Sequence, residues 1–332
     1  MNIENKETVD IILPSRIGDC IMAMPAILCL KQLTNKFKDK KFDIRIFSTN
    51  GLTEIIKTLD LFPVHQYKLS SKLKSFIRPS NRAIFLHATT NNIGFLAKKT
   101  YGINIKSKKI KYDYNMPYLN IFQSKQYLPE KLFSYFIEKY DFSTLTISFL
   151  GLCLEFGFSV DEIIETFDFN ENSFNLKNSF FDKKQDFQEK KYFVFCMEAA
   201  YGSKNDVDRR WDENNFFNIA KRIYDDYGIE SAFIGINTTI KLPKGNYVYD
   251  LRKKLTLSDT CRLLKYSKGY IGNDTGPLHL ANFMKKYSIG IYFRESSLRD
   301  YTPIYKSLNK PIFAPNGTES VLEKIKQVIE LV

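Results

Sequence analysis

Two short apolar runs, Val9–Leu13 (VDIIL) and Tyr192–Cys196 (YFVFC), each open a half of the chain in which strand-like runs alternate with helical stretches. Short, mainly apolar runs rich in β-branched or aromatic residues suit parallel strands buried on both faces. In the first half, Asp43–Phe47 and Arg82–Leu86 continue the series. Ala23–Leu33, Leu128–Tyr140 and Leu145–Phe156 read as helices, and Arg16–Asp19 as the loop after the first strand. In the second half a helix is expected at Glu213–Tyr227, then strands near Ser231–Gly235 and Tyr247–Asp250. A helix at Ser258–Ser267, a strand end at Gly269–Gly272, a helix at Pro277–Lys285, a strand at Ser288–Phe293 and a terminal helix at Ser320–Val332 follow. Such βαβ alternation specifies a doubly wound α/β fold. The 332 residues exceed one ordinary core, so two domains of about 150 residues each are expected. The one linker-like composition, Asn-, Asp- and Lys-rich without a sustained period, lies at 166–190. The domains are therefore expected at 1–165 and 191–315, with a closing helix over 316–332 that could pack back toward the first half.

Composition narrows the classes further. With 44% apolar and 26% charged residues the chain is globular rather than disordered. Its start, MNIENKETVD, has no apolar core and does not read as a secretory signal. The longest apolar stretch, Phe142–Phe158, is interrupted by polar residues and falls short of the roughly 20 residues of a membrane span, so it reads as a buried helix. Five scattered cysteines without a CxxC pair point to reduced thiols in a cytoplasmic protein, and only three histidines argue against a metal centre. The net charge of +12 is carried by one region: residues 1–111 hold 20 Lys+Arg against 8 Asp+Glu, and residues 112–332 hold 29 of each. A lysine-rich compositional bias would have tilted the remainder too. A basic face for a phosphate-bearing ligand or membrane is expected instead. Nucleic acid is disfavoured as the partner, since no zinc knuckle, RNP-type motif or helix-turn-helix is present.

Two strand-to-helix turns carry the candidate chemistry. Gly18-Asp19 follows the first strand, at the sheet edge where open parallel sheets bind ligands. Gly18 allows close approach of the backbone, and Asp19 is either a carboxylate facing the ligand or an N-cap. The second is Ile271-Gly272-Asn273-Asp274-Thr275-Gly276-Pro277-Leu278-His279-Leu280. Proline is favoured at the first helical position, and free amides of Thr275, Gly276 and Leu278 at that helix start would suit an anion. Asp274 could accept hydrogen bonds from sugar hydroxyls. His279 could donate to a phosphate or to the loop, or be a core histidine. Asp206-Val207-Asp208 fits a DxD cation motif, but such triplets are common in charged loops.

Leu13-Pro14-Ser15-Arg16-Ile17-Gly18-Asp19 with Met24-Pro25-Ala26-Ile27 resembles the opening of glycosyltransferase family 9, the ADP-heptose:lipopolysaccharide heptosyltransferases. Asp250-Leu251-Arg252, Leu257-Ser258, Leu263-Leu264 and Gly272-Asn273-Asp274-Thr275-Gly276-Pro277-Leu278-His279-Leu280-Ala281 resemble the diagnostic block of that family, and Arg209-Arg210-Trp211 resembles its basic-plus-Trp element. The resemblance implies a GT-B fold, two Rossmann-like domains facing each other across a cleft, with the donor held mainly by the C-terminal one. It implies inverting, metal-independent transfer of heptose from ADP-heptose to a lipopolysaccharide inner core, with no cofactor beyond the nucleotide-sugar substrate. Asp19 is then the catalytic base. Arg209, Arg210, Asp274, Thr275, Gly276 and His279 hold the donor and its phosphates, and Trp211 packs. Gly18, Arg16 and His87 fall on the acceptor side, where His87 serves equally well in a local turn. A monomer is expected, cytoplasmic and peripheral to the inner membrane, where the anionic glycolipid acceptor lies. The chain departs from the family at Phe85-Leu86-His87-Ala88-Thr89-Thr90, which lacks the Asp and Gly of relatives, and at Phe293-Arg294-Glu295-Ser296-Ser297, which replaces Gly-Pro-Thr-Asp-Pro. The family fold with another donor, or with a protein or capsular acceptor, and a non-catalytic nucleotide-sugar binder are the competing readings.

Overall fold

The structure, a computed structural model, describes residues 6–48, 51–66, 80–86, 97–102, 128–181, 191–199 and 209–331. The chain divides into two compact units, Met1–Lys177 and Asn178–Val332. The first holds strands β1 (Glu7–Ile12), β2 (Phe42–Ser48), β3 (Val64–Gln66), β4 (Ser80–Phe85) and β5 (Ala97–Gly102). They form one parallel sheet in the order β3-β2-β1-β4-β5. Central β1 carries an acid in its interior: Asp10 is 0% exposed. Its register partner on β2 is Arg45, which meets the carboxylate through two nitrogens at 2.6 and 2.9 Å. A buried carboxylate is tolerated when it is paired this way.

The helices Ile17–Met22 and Met24–Lys36 follow β1 and pack on Thr144–Glu155. That last helix is buried from Thr144 to Cys153, as its unbroken apolar character demands, and Ser143 caps its start. Two expectations need correction here. The Arg16–Asp19 loop is mostly helix, which begins at Ile17 because Cys20, Ile21 and Met24 continue an apolar face from that point. Part of the expected 166–190 linker is also packed: Phe167, Phe169 and Phe174 join Phe136, Tyr140 and Phe142 in an aromatic cluster of the first unit. Aromatic burial outweighs the polar composition of that stretch.

The second unit has strands β6 (Tyr192–Cys196), β7 (Glu230–Phe233), β8 (Val248–Asp250), β9 (Gly269–Asn273), β10 (Ser288–Tyr292) and β11 (Ile312–Phe313). They form a parallel sheet in the order β11-β10-β9-β6-β7-β8, and every residue of β6, β9 and β10 is buried. The helix Glu213–Tyr227 ends at Gly228 in the left-handed conformation, φ 63°, where a side chain would be strained. The helix Leu257–Tyr266 starts with a reciprocal Thr256–Asp259 capping box. The terminal helix, Glu319–Leu331, buries Val321, Ile325 and Val328 in the second unit's own core. All five cysteines are free and buried.

In each sheet the chain winds outward in both directions from its first strand. The order therefore reverses between β1 and β4 in one unit, and between β6 and β9 in the other. Open parallel sheets bind ligands beyond the strand carboxyl ends at such a point. Both candidate turns follow strands that flank one.

Candidate functional site

At the first switch point, β1 leads through Leu13 and Pro14, both buried, to exposed Arg16 in extended conformation and then into the Ile17–Met22 helix. Asp19 is the third residue of that helix rather than its N-cap. Its carbonyl accepts from the Ala23 amide, and the residue is half-buried. A helix's first turn favours an acid through the exposed amides and dipole, which is the local reason for a carboxylate here. Burial, and then the charge of Asp19, push the adjacent Cys20 thiol up from its ordinary range, so this cysteine stays a thiol. Gly18 is buried. His87 and the lysines at 106, 108, 109 and 111 lie outside the described residues. Of the described basic residues in this unit's sheet and its connections, Arg45 is engaged with Asp10, Arg82 with Glu7, and Lys40 with Glu162.

At the second switch point Asn273 ends β9 and ties three segments together. Its side-chain Nδ2 donates to the Met197 carbonyl beyond β6 at 2.7 Å, and its Oδ1 accepts from the Trp211 backbone amide at 3.1 Å. Trp211 itself is packed edge-on against Phe216, centroids 5.0 Å apart. Asp274 is 6% exposed, and Arg209 Nη2 reaches both its Oδ2 (2.7 Å) and its carbonyl (3.0 Å). The arginine and the carboxylate expected to act separately are thus one ion pair against the turn. Thr275 is the N-cap of the Gly276–Phe283 helix, yet its hydroxyl makes no capping bond and points to the Asn273 carbonyl at 3.3 Å. The amides of Thr275 and Gly276 are not taken up by backbone pairing among the described residues. Leu278 does not share that state: its amide closes the first turn onto the Thr275 carbonyl at 3.0 Å. His279 is buried within the helix.

Glu198, which sequence reasoning did not single out, and Arg252, quoted there only within the diagnostic block, complete the surroundings. Glu198, just past β6, accepts from the amides of Ile236 and Asn237 beyond β7. Arg252 is nearly buried, clasps Asp250 through two nitrogens, and donates to the carbonyls of Asn237 and Ile240. Its guanidinium holds the Asp250 carboxyl below the usual carboxylate range. Met197, Glu198, exposed Arg210, Ile234, Asn237 and Arg252 line a small pocket beyond the carboxyl ends of β6 and β7. A lone acid directly after an apolar strand was the available signal for Glu198. Among the described residues no group of three His, Cys, Asp or Glu side chains is placed to hold a metal, and Asp206 and Asp208 lie outside them.

Two Rossmann-like units with parallel sheets are the pattern of the GT-B glycosyltransferases, and solved structures of that class share it. E. coli ADP-heptose lipopolysaccharide heptosyltransferase II overlays with a TM-score of 0.63 at 13% identity, covering 98% of this chain and 99% of that one. A family 9 glycosyltransferase from Veillonella parvula gives 0.60 at 13% identity over 98% and 92%. E. coli heptosyltransferase WaaC with ADP gives 0.54 at 13% identity over 97% and 99%. At such identities the likeness speaks for the fold. The family itself follows from the sequence model of glycosyltransferase family 9 (heptosyltransferase), which matches residues 100–324. This chain belongs to that family and is a glycosyltransferase. No curated protein matches it significantly.

Proposed function

We propose that the protein transfers heptose from ADP-heptose to the inner core of a lipopolysaccharide precursor, with inversion at the anomeric carbon and without a metal. One observation carries this reading: among the described residues the start of the Gly276–Phe283 helix has no side-chain cap, and two of its amides, beside Arg209 at the second switch point, are unengaged. A diphosphate leaves with growing negative charge, and preorganised amides with an adjacent cation stabilise that charge where it develops. The ADP-heptose named for the E. coli relative supplies the donor in this proposal. Its nucleoside would occupy the neighbouring pocket lined by Met197, Ile234 and Glu198.

In the reaction, Asp19 removes the acceptor hydroxyl proton as that oxygen attacks C1 of the heptose. The C1–O bond to the diphosphate breaks, and the electron pair goes to ADP. The Thr275 and Gly276 amides and Arg209 receive the departing phosphate, while the remaining oxygen of Asp274 is offered to the sugar hydroxyls. Arg16, Gly18 and His87 are assigned to an anionic, phosphorylated and Kdo-bearing acceptor presented at the cytoplasmic face of the inner membrane. The test is a transfer assay with ADP-heptose and such an acceptor, run beside GDP- and UDP-sugars and in the presence of EDTA. Turnover confined to ADP-heptose and indifferent to EDTA is expected. Preference for another nucleotide reassigns the donor, and loss in EDTA restored by Mn2+ or Mg2+ overturns metal independence.

A further inference from the structure

The Tyr270 side chain is 0% exposed and projects from β9 on the same face as Gly272, two residues on. A Cβ at 272 would run into the phenol oxygen and stand 2.6 Å from the Cys196 carbonyl on the neighbouring strand. The missing side chain is therefore what lets the tyrosine ring lie along the strand toward its carboxyl end. There the phenol oxygen has no partner in bonding geometry among the described residues, with the Thr275 hydroxyl and the Cys196 thiol as its polar neighbours. A buried hydroxyl left unmatched costs stability, so its presence asks for a reason. We propose that Tyr270 is a positioning residue for the diphosphate turn: its hydroxyl donates to Thr275 Oγ1, releasing the Thr275 proton from the Asn273 carbonyl and aiming it at the leaving phosphate. The inference rests on the preceding assignment of Thr275 to the donor phosphates.

The donor inventory fits. A threonine hydroxyl gives one hydrogen bond while accepting others, so it can take the phenol's proton donation and still donate onward. Its present bond to Asn273, at 3.3 Å, is long and readily exchanged. Burial holds the phenol well above its ordinary pKa and raises the Cys196 thiol to about 12, so both remain protonated and Tyr270 stays a donor. A chain of two hydroxyls also polarises each member, strengthening the terminal bond as charge develops on the phosphate.

The experiment is a double-mutant cycle with Tyr270→Phe and Thr275→Val, reading kcat, donor KM, ADP affinity and melting temperature. Tyr270→Phe is expected to lower kcat about 3- to 10-fold, the range of one ordinary hydrogen bond, with donor KM within twofold of wild type and melting temperature unchanged or raised. Thr275→Val is expected to lower kcat more, and the double variant to match Thr275→Val alone. If Thr275→Val leaves donor use untouched, the diphosphate assignment fails and the role of Tyr270 with it. If Thr275→Val acts but Tyr270→Phe does not, or if their effects multiply in the double variant, the relay alone is overturned. A drop in melting temperature with parallel losses of kcat and ADP affinity would mark Tyr270 as a packing residue and also overturn it.

Discussion

The two switch-point turns share one plan, a buried parallel strand giving way to a helix, yet they bury their carboxylates to different depths. Asp19 stands half-buried in the first turn of a six-residue helix. Asp274 is nearly buried and clasped by Arg209. A guanidinium stabilises a carboxylate's charged form and so weakens it as a base. A carboxylate that is to keep a loop and a cation in place gains from that pairing. The same residue type thus stands in two settings, one nearly buried against a guanidinium and one half-buried at a helix start.

The strongest test of this contrast is Asp19→Asn. If Asp19 is the base, kcat falls by about 100- to 10,000-fold while ADP still raises the melting temperature as in wild type. Unchanged turnover would leave the chain a non-catalytic binder or place the base elsewhere. The next test compares the two Asp–Arg pairs. Arg45→Ala strips the partner from fully buried Asp10 and is expected to destabilise by about 3–5 kcal/mol without altering ADP affinity per folded molecule. Arg209→Ala, at a pair of 20% and 7% side-chain exposure, is expected to destabilise less, by about 2–3 kcal/mol, and to weaken ADP binding. Isothermal titration on folded protein separates them. Equal ADP affinity in the two variants would remove Arg209 from the donor site. A smaller effect is expected from reversing the charges of Lys106, Lys108, Lys109 and Lys111. At about 1 kcal/mol per lysine near an anionic surface, acceptor KM should rise at least ~10-fold with donor binding little changed. Equal losses in both would detach the basic region from the acceptor.

The buried strands were legible because their apolar runs have no alternative use: Tyr192–Cys196 is read to the residue, and Gly269–Asn273 to one residue. Val64–Gln66, Ala97–Gly102 and Ile312–Phe313 escaped notice because they are edge strands, either two or three residues long or, as AKKTYG, without an apolar run. The start of the Ile17–Met22 helix was hidden by Gly18, a poor helix former outweighed by the packing of Cys20 and Ile21. The phosphate turn was visible as Asn-Asp-Thr-Gly-Pro. What it leaned on was not, because Arg209 on Asp274 and Glu198 on the Ile236 and Asn237 amides join residues far apart in the chain. Local spacing carries no record of such pairings.

The smallest expected effect lies at the opposite edge of the same sheet and serves as a control for the second turn. Lys286 precedes β10, is half-buried, and donates to the Ser267 carbonyl at 3.0 Å. Burial first, then the nearby charges of Lys265 and Lys268, lower its pKa from 10.5 to about 8. The unfolded chain therefore binds more protons than the folded one between about pH 8 and 10.5, and this residue's contribution to stability rises with pH across that window. Below pH 8 the ammonium is charged in both states and the full penalty stands. Lys286→Met removes the penalty along with one hydrogen bond, so a net gain of about 1–2 kcal/mol at pH 7 is expected. That gain should shrink as pH approaches 10, and kcat should not change. Denaturant unfolding of wild type and variant at pH 7, 8, 9 and 10 isolates the effect, since thiols and phenols titrate alike in both proteins. A pH-independent difference would show that the ammonium is not strained by its surroundings. An altered kcat would mean that the amino edge of the sheet is coupled to the turn at the other end, and the separation of structural from catalytic charge would then fail in this unit.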